Sequence, residues 1–257
     1  PSHTLPPLHC SAGAMPLHVA ASNGHANLVQ LLIKSKAQPD KQTPTGLSAL
    51  HAACEKGQSG SAAVLLSAGA KVDLKDNDGR TALHISGAFG RGGCLRALLT
   101  ANADVNLADN EGSTPLYSAC AMDEREMVEM LIAAKADPTV GRSGGDGGES
   151  TTPLALTMQR GHDKCGEVVF GALSGSSKAL PSQVRSALKK SVECDGPLVG
   201  KRVRMVGLSG RADLNGKSGV AFNYQGERYG VCVEGEQECL RLKGVNLEVV
   251  GVVVEVS

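Results

Sequence analysis

Leucine recurs on a fixed beat in this chain: Leu17, Leu50, Leu83 and Leu116 are each 33 residues apart. Each belongs to a short phrase, Met15-Pro-Leu-His18, Ser48-Ala-Leu-His51, Thr81-Ala-Leu-His84 and Thr114-Pro-Leu-Tyr117. Self-similarity at this period means that one supersecondary unit is stacked on copies of itself. The chain must therefore build an array, in which each unit buries its apolar face against its neighbours.

The residues within one period predict two helices and a finger. Leu17 to Ser22 reads as a short apolar helix, stopped at Asn23-Gly24 because glycine accepts left-handed dihedrals cheaply. Ala26 to Lys34 reads as a second helix with Leu28, Leu31 and Leu32 on its apolar stripe. Lys36-Ala37 ends it, and the polar, proline-containing stretch Gln38 to Gly46 is a loop or hairpin. Later units keep this grammar. Gly57, Gly90 and Asp123 fall where Gly24 fell; Gly69, Asn102 and Lys135 fall where Lys36 fell. A fifth unit is distorted, since Leu154 of Thr152-Pro-Leu154 comes 38 residues after Leu116. The added residues lie in the glycine-rich stretch Gly141 to Gly148, an insertion expected in an inter-helix loop. Arg160-Gly161-His162 then restores the turn.

The Thr-Pro-Leu-His phrase at this period resembles the ankyrin repeat. The reading is five repeats, near 12–44, 45–77, 78–110, 111–148 and 149–173, in an α-solenoid domain spanning 1–173. Residues 174–194 begin with a Ser/Gly linker and continue as a basic helix that caps the last repeat, with a helix offered to an acidic partner or membrane surface and a plain linker as the alternatives. From about Pro197 the period becomes alternating, with strand candidates at Val199 to Val206, Gly219 to Phe222, Arg228 to Val233, Cys239 to Leu242 and Leu247 to Val254. Gly200-Lys-Arg-Val203, Leu214-Asn-Gly-Lys-Ser-Gly-Val220, Arg228-Tyr-Gly-Val231 and Asn246-Leu-Glu-Val249 resemble an SH3-like barrel of the KOW type, assigned to 195–257. The fold class is thus multidomain, a helical solenoid followed by a small all-β barrel closed upon itself.

Charge does not select a polyanion as partner. The chain carries 26 basic and 26 acidic residues, and no domain is basic enough to predict nucleic-acid binding. The alternative, an RNA- or ribosome-associated factor, rests on Lys201, Arg202, Arg204, Arg211 and Lys217 in the barrel, against the acidic run Glu234, Glu236 and Glu238. Phe222, Tyr224 and Tyr229 are the only barrel aromatics from which a methyl-lysine cage could be made. No apolar run is long enough for a membrane-spanning helix. An intracellular, cytoplasmic setting is expected, and the missing initial Met leaves a removed targeting segment open.

Chemistry is not expected either. His18, His51 and His84 share one repeat position, and the resemblance implies that this histidine bonds backbone groups of adjacent units. The eight cysteines contain no Cys-x-x-Cys pair, so no zinc site is expected. Cys54, Cys94, Cys120 and Cys165 read as small core residues. Cys232 and Cys239 flank a hairpin turn and could face each other, but reduced thiols are the expectation for an intracellular chain. No nucleophile–base constellation stands out and the glycine-rich insertion lacks a P-loop lysine, so no enzyme, cofactor, metal or small-molecule substrate is predicted.

What remains is recognition. The resemblance implies an extended concave surface made of finger tips and first-helix ends. There the sequence places partner-binding candidates Asn23, Lys56, Asp78, Arg80, Phe89, Glu111 and Met122, with Phe89 and Met122 as apolar anchors. The expected function is protein–protein interaction, as an adaptor or an assembly subunit, with the barrel as a second contact.

Overall fold

A computed structural model describes residues 15–142, 151–174, 202–206, 208–209, 211–225, 227–234 and 239–250. The basic helix expected within 174–194, and most of the glycine-rich insertion, lie outside the described residues.

Among the described residues ten helices fall into five helix–turn–helix pairs: α1 (Pro16–Ser22) and α2 (Ala26–Lys34), α3 (Ala49–Lys56) and α4 (Ser59–Ser67), α5 (Ala82–Ala88) and α6 (Gly92–Thr100), α7 (Pro115–Ala121) and α8 (Arg125–Ala133), α9 (Pro153–Arg160) and α10 (Asp163–Ser174). The chain forms two compact units. One holds α1 to α4, α5 up to Ser86, and α6; the other holds Gly87–Gly90 and everything from Val105 onward.

The recurring phrase acts as a helix starter. Ser48, Thr114 and Thr152 stand in extended backbone at the N-caps of α3, α7 and α9, and each hydroxyl accepts the backbone N–H three residues on. Pro16, Pro115 and Pro153 occupy the first turn, where a missing N–H costs nothing. The phrase leucines Leu17, Leu50, Leu83, Leu116 and Leu154 are all buried.

Each pair turns through a left-handed residue. Gly24, Gly57, Gly90, Asp123 and Gly161 have φ of 76°, 74°, 65°, 58° and 71°. A second left-handed residue closes the second helices: Lys36, Gly69, Asn102 and Lys135 at 68°, 85°, 58° and 64°. The two lysines are held there by the closing bonds Ala37 N–H to Leu32 O (3.0 Å) and Ala136 N–H to Leu131 O (2.9 Å). These bonds offset a left-handed cost of roughly 1–2 kcal/mol.

The stripe expected on α2 is corrected. Val29 is its buried residue, while Leu28 and Leu31 are 43% and 59% exposed. The matching positions Ser61 and Val64 in α4 are buried and half-buried, because α2 packs on that side of α4. No counterpart covers α2 among the described residues.

The fingers are looped rather than stranded in repeats one to three, and side chains tie each to the next. Asp40 accepts the Lys71 N–H at 2.8 Å and Asp73 that of Asp104 at 3.1 Å in the first unit. Asn106 accepts that of Asp137 at 2.8 Å in the second. Across the insertion, Arg142 and Thr151 form an isolated antiparallel bridge.

The C-terminal strands are β1 (Arg202–Met205), β2 (Ser218–Gln225), β3 (Arg228–Val233), β4 (Cys239–Lys243) and β5 (Leu247–Val249). They form one curled antiparallel sheet in the order β4-β3-β2-β1-β5. Alternation sets its buried face: Val203 and Met205 are inside and Arg204 outside, and Val220, Val231 and Leu214 are among the residues that join them in the core. The expectation of reduced thiols here is overturned. Cys232 and Cys239 lie opposite each other in the β3–β4 register, with Cα atoms 4.4 Å apart, and are joined by a disulfide. Direct cross-strand pairing brings the two sulfurs together whatever the rest of the chain suggests.

Candidate functional site

The histidine row is structural. His51 Nε2 donates to Arg80 O at 3.1 Å, which fixes the proton on Nε2 and leaves Nδ1 as an acceptor. Nδ1 lies 3.2 Å from the Ser48 N–H and 2.8 Å from the Ser48 hydroxyl. His18 Nε2 bonds Leu47 O at 3.0 Å, and His84 Nδ1 pairs with Thr81. Burial holds the His51 ring below its usual pKa, so it stays neutral and keeps this pattern. In the first repeat Met15 has no hydroxyl, and His18 Nδ1 is buried without a partner. Tyr117 takes the place in the fourth repeat, where burial raises its phenol pKa.

The buried thiols are also fixed by their surroundings. Cys94 Sγ donates to Ala53 O at 3.9 Å; the neighbouring Cys94 thiol and burial raise Cys54, whereas the Cys54 thiol and Arg91 lower Cys94. Burial raises Cys120, and burial together with the Asp123 carboxylate pushes Cys165 up to about 12. Among the described residues no group of three or more His, Cys, Asp or Glu could hold a metal ion.

The predicted partner-binding residues fall into two kinds. Asn23 and Lys56 in the first unit, and Phe89 and Met122 in the second, occupy one position at the end of each first helix, just before the left-handed residue. All four are exposed. Asn23 folds back to donate to Val19 O at 2.9 Å, and Lys56 pairs with Glu55 at 2.7 Å. Phe89 is 48% and Met122 56% exposed.

The finger candidates are partly committed to their own loops. Buried Asp76 accepts the N–H groups of Asp78 and Arg80, and Arg80 then bridges Asp76 (2.9 Å) and Asp78 (2.8 Å). Asp109 repeats the device by accepting from Glu111 and Ser113 N–H. The Glu111 carboxylate pairs with Arg142 at 2.8 Å. Asp76 and Asp109 thus set the fingers, while Asp78, Arg80 and Glu111 present charge from them.

One residue of the helix-end row was missed by the sequence reading. Arg160 stands 38 residues after Met122, the offset that also separates Leu116 from Leu154. It ends α9 just before left-handed Gly161 and is exposed. Its Nη1 donates to Ala121 O at 2.7 Å. Counting the inserted residues would have found it.

A family model described as ankyrin repeats (3 copies) matches residues 5–76 and 61–142, together more than half of the chain. The chain belongs to the ankyrin repeat family. No curated protein matches it. The α9–α10 pair, beyond the matched residues, keeps the ankyrin geometry of capped first helix, left-handed turn and second helix. Ankyrin repeats generally mediate protein–protein interaction. No helix among the described residues is long and apolar enough to cross a membrane.

Proposed function

We propose that this ankyrin repeat chain is a non-enzymatic binding protein, an adaptor or assembly subunit, whose partner is another protein. The observation that carries the reading is the exposure of Phe89 and Met122 at homologous helix ends, in repeats whose other large apolar side chains are mostly buried. An aromatic and a thioether left in water gain about 1.5–3 kcal/mol each on full burial. Asn23, Lys56, Asp78, Arg80 and Glu111 supply the polar contacts that fix orientation.

The division into an ankyrin domain to 173, a spacer and cap at 174–194 and an SH3-like, KOW-type barrel at 195–257 belongs to the same proposal, the barrel being a second contact that raises avidity. A curled five-stranded antiparallel sheet supports a small barrel. The RNA-binding alternative loses support at Arg211, whose guanidinium is already paired with Asp213 at 3.0 Å. A cation neutralised within the chain releases few counterions from a phosphate backbone. Phe222 and Tyr224 lie outside the described side chains, so the cage gains nothing here.

The test is affinity capture by the intact chain from its native extract, repeated at high salt and after nuclease treatment. A defined set of proteins retained through both treatments supports the reading. Loss of everything captured on nuclease treatment would replace it with a nucleic-acid role.

A further inference from the structure

We infer that Phe89, Met122 and Arg160 form one linear docking row, which takes a protein segment bearing two apolar side chains followed by a carboxylate. The inference rests on the protein-binding reading above and specifies the chemistry of the bound segment. The three residues belong to one compact unit and to successive repeats. Their separations of 33 and 38 residues reproduce those of the phrase leucines Leu83, Leu116 and Leu154. Each sits immediately before a left-handed residue, Gly90, Asp123 or Gly161, so the three side chains leave homologous turns at the same point. Neighbouring helices pack about 8–10 Å apart, which sets the pitch of the row.

The first two places are apolar and about half exposed. The third is a cation with no ion-pair partner among the described residues. Exposed Arg80, Arg125, Arg142 and Arg211 each carry a carboxylate within ion-pair distance. Arg160 has none among the described residues, and its bond to Ala121 O anchors the guanidinium beside the Met122 turn. A planar guanidinium held at one nitrogen keeps further N–H donors for an incoming carboxylate.

Two acids give the row a direction. The Glu124 carboxylate lies against Gly90, beside Phe89, where an added Cβ would meet it at 2.5 Å. Asp123 follows Met122 and is exposed, and its carboxylate lies near enough to the Cys165 thiol to help raise that thiol's pKa. A bound carboxylate is repelled from the Phe89 and Met122 places and admitted at Arg160. An extended segment covers one pitch in about three residues and a helical one in about six or seven, so the spacing of the selected side chains reports the bound conformation.

The experiment is selection of a phage-displayed library of random peptides, about 16 residues long so that a helix can span the row. The intact chain is the bait, and enriched peptides are then measured on Phe89→Ala, Met122→Ala, Arg160→Glu and the finger pair Asp78→Ala/Glu111→Ala. All are surface substitutions, and matching circular dichroism and urea midpoints check that each variant is folded. Enriched peptides should share two apolar positions and an acidic one at a fixed interval. Their affinity should fall about tenfold or more on Phe89→Ala and on Arg160→Glu, and Arg160→Glu should favour a basic residue at the acidic place. Peptides sensitive only to the finger pair would overturn the row while leaving protein recognition standing. Enrichment without an acidic position, or no enrichment at all, would also overturn it.

Discussion

Replacing Ser48 by alanine removes one hydroxyl that serves two partners. Its oxygen lies 2.8 Å from His51 Nδ1 and accepts the His51 N–H at 3.4 Å, at a site where both residues are almost fully buried. The backbone N–H of residue 48 still reaches Nδ1, at 3.2 Å, so the ring keeps one partner and the main loss is the cap. Loss of an N-cap costs about 1 kcal/mol, up to about 2. Burial puts Ser48→Ala in the upper half of that range, because water cannot take over the freed N–H. Urea unfolding followed by circular dichroism should show the midpoint falling by about 0.5–1 M with little change in slope. Ser48→Thr should stay within about 0.5 kcal/mol of the parent, since Thr114 and Thr152 cap α7 and α9 in the same way. Hydrogen exchange should place the loss in α3. An alanine variant as stable as the parent, or a threonine variant as damaged as the alanine one, would refute the assignment of the hydroxyl as the cap.

Three further outcomes follow from the same geometry. Met15→Ser gives the unpartnered His18 Nδ1 a hydroxyl and α1 a cap, and should slow α1 amide exchange by about 1 kcal/mol of local stability; unchanged exchange would show that Met15 is not the missing cap. His51 binds a proton less readily folded than unfolded, so the unfolded state takes up more protons as pH drops. Stability should therefore fall below about pH 6.5, by at most about 1.4 kcal/mol per unit from this group, and His51→Gln should flatten that part of the slope between pH 7.5 and 5.5. Equal slopes for the two proteins would remove His51 as the cause. Cys232→Ser/Cys239→Ser opens a loop of sequence separation 7 and should weaken the sheet by about 2 kcal/mol in urea, read by tyrosine fluorescence; an unchanged sheet transition would show the bridge to be thermodynamically idle.

Most of the fold was legible because its determinants are local and repeated. The phrase leucines and the turn glycines each report their own position. Lys36 and Lys135 could be located only by counting, since lysine by itself gives no sign of left-handed backbone. The α2 stripe was misread because periodicity does not say which side of a helix has a neighbour; Leu28 lies where Ser61 is buried one repeat later. Exposure at Phe89 and Met122 followed from repeat position. The pairing of Arg80 with Asp76 and Asp78, and of Glu111 with Arg142 on the far side of a helix pair, depends on how the loops fold and was hidden. Arg160 was hidden for a simpler reason, an insertion that shifts the count.

Asp40, Asp73 and Asn106 each reach from one finger to the backbone N–H found 31 residues ahead. The acceptor is a side chain but the donor is main chain, which every residue except proline possesses. A gene that gains or loses one complete repeat therefore joins a surviving acceptor to an equivalent donor, and no special residue has to be acquired at the junction. Such an array can lengthen or shorten by whole units, and its partner-facing residues can drift independently of the couplings that keep the units in register.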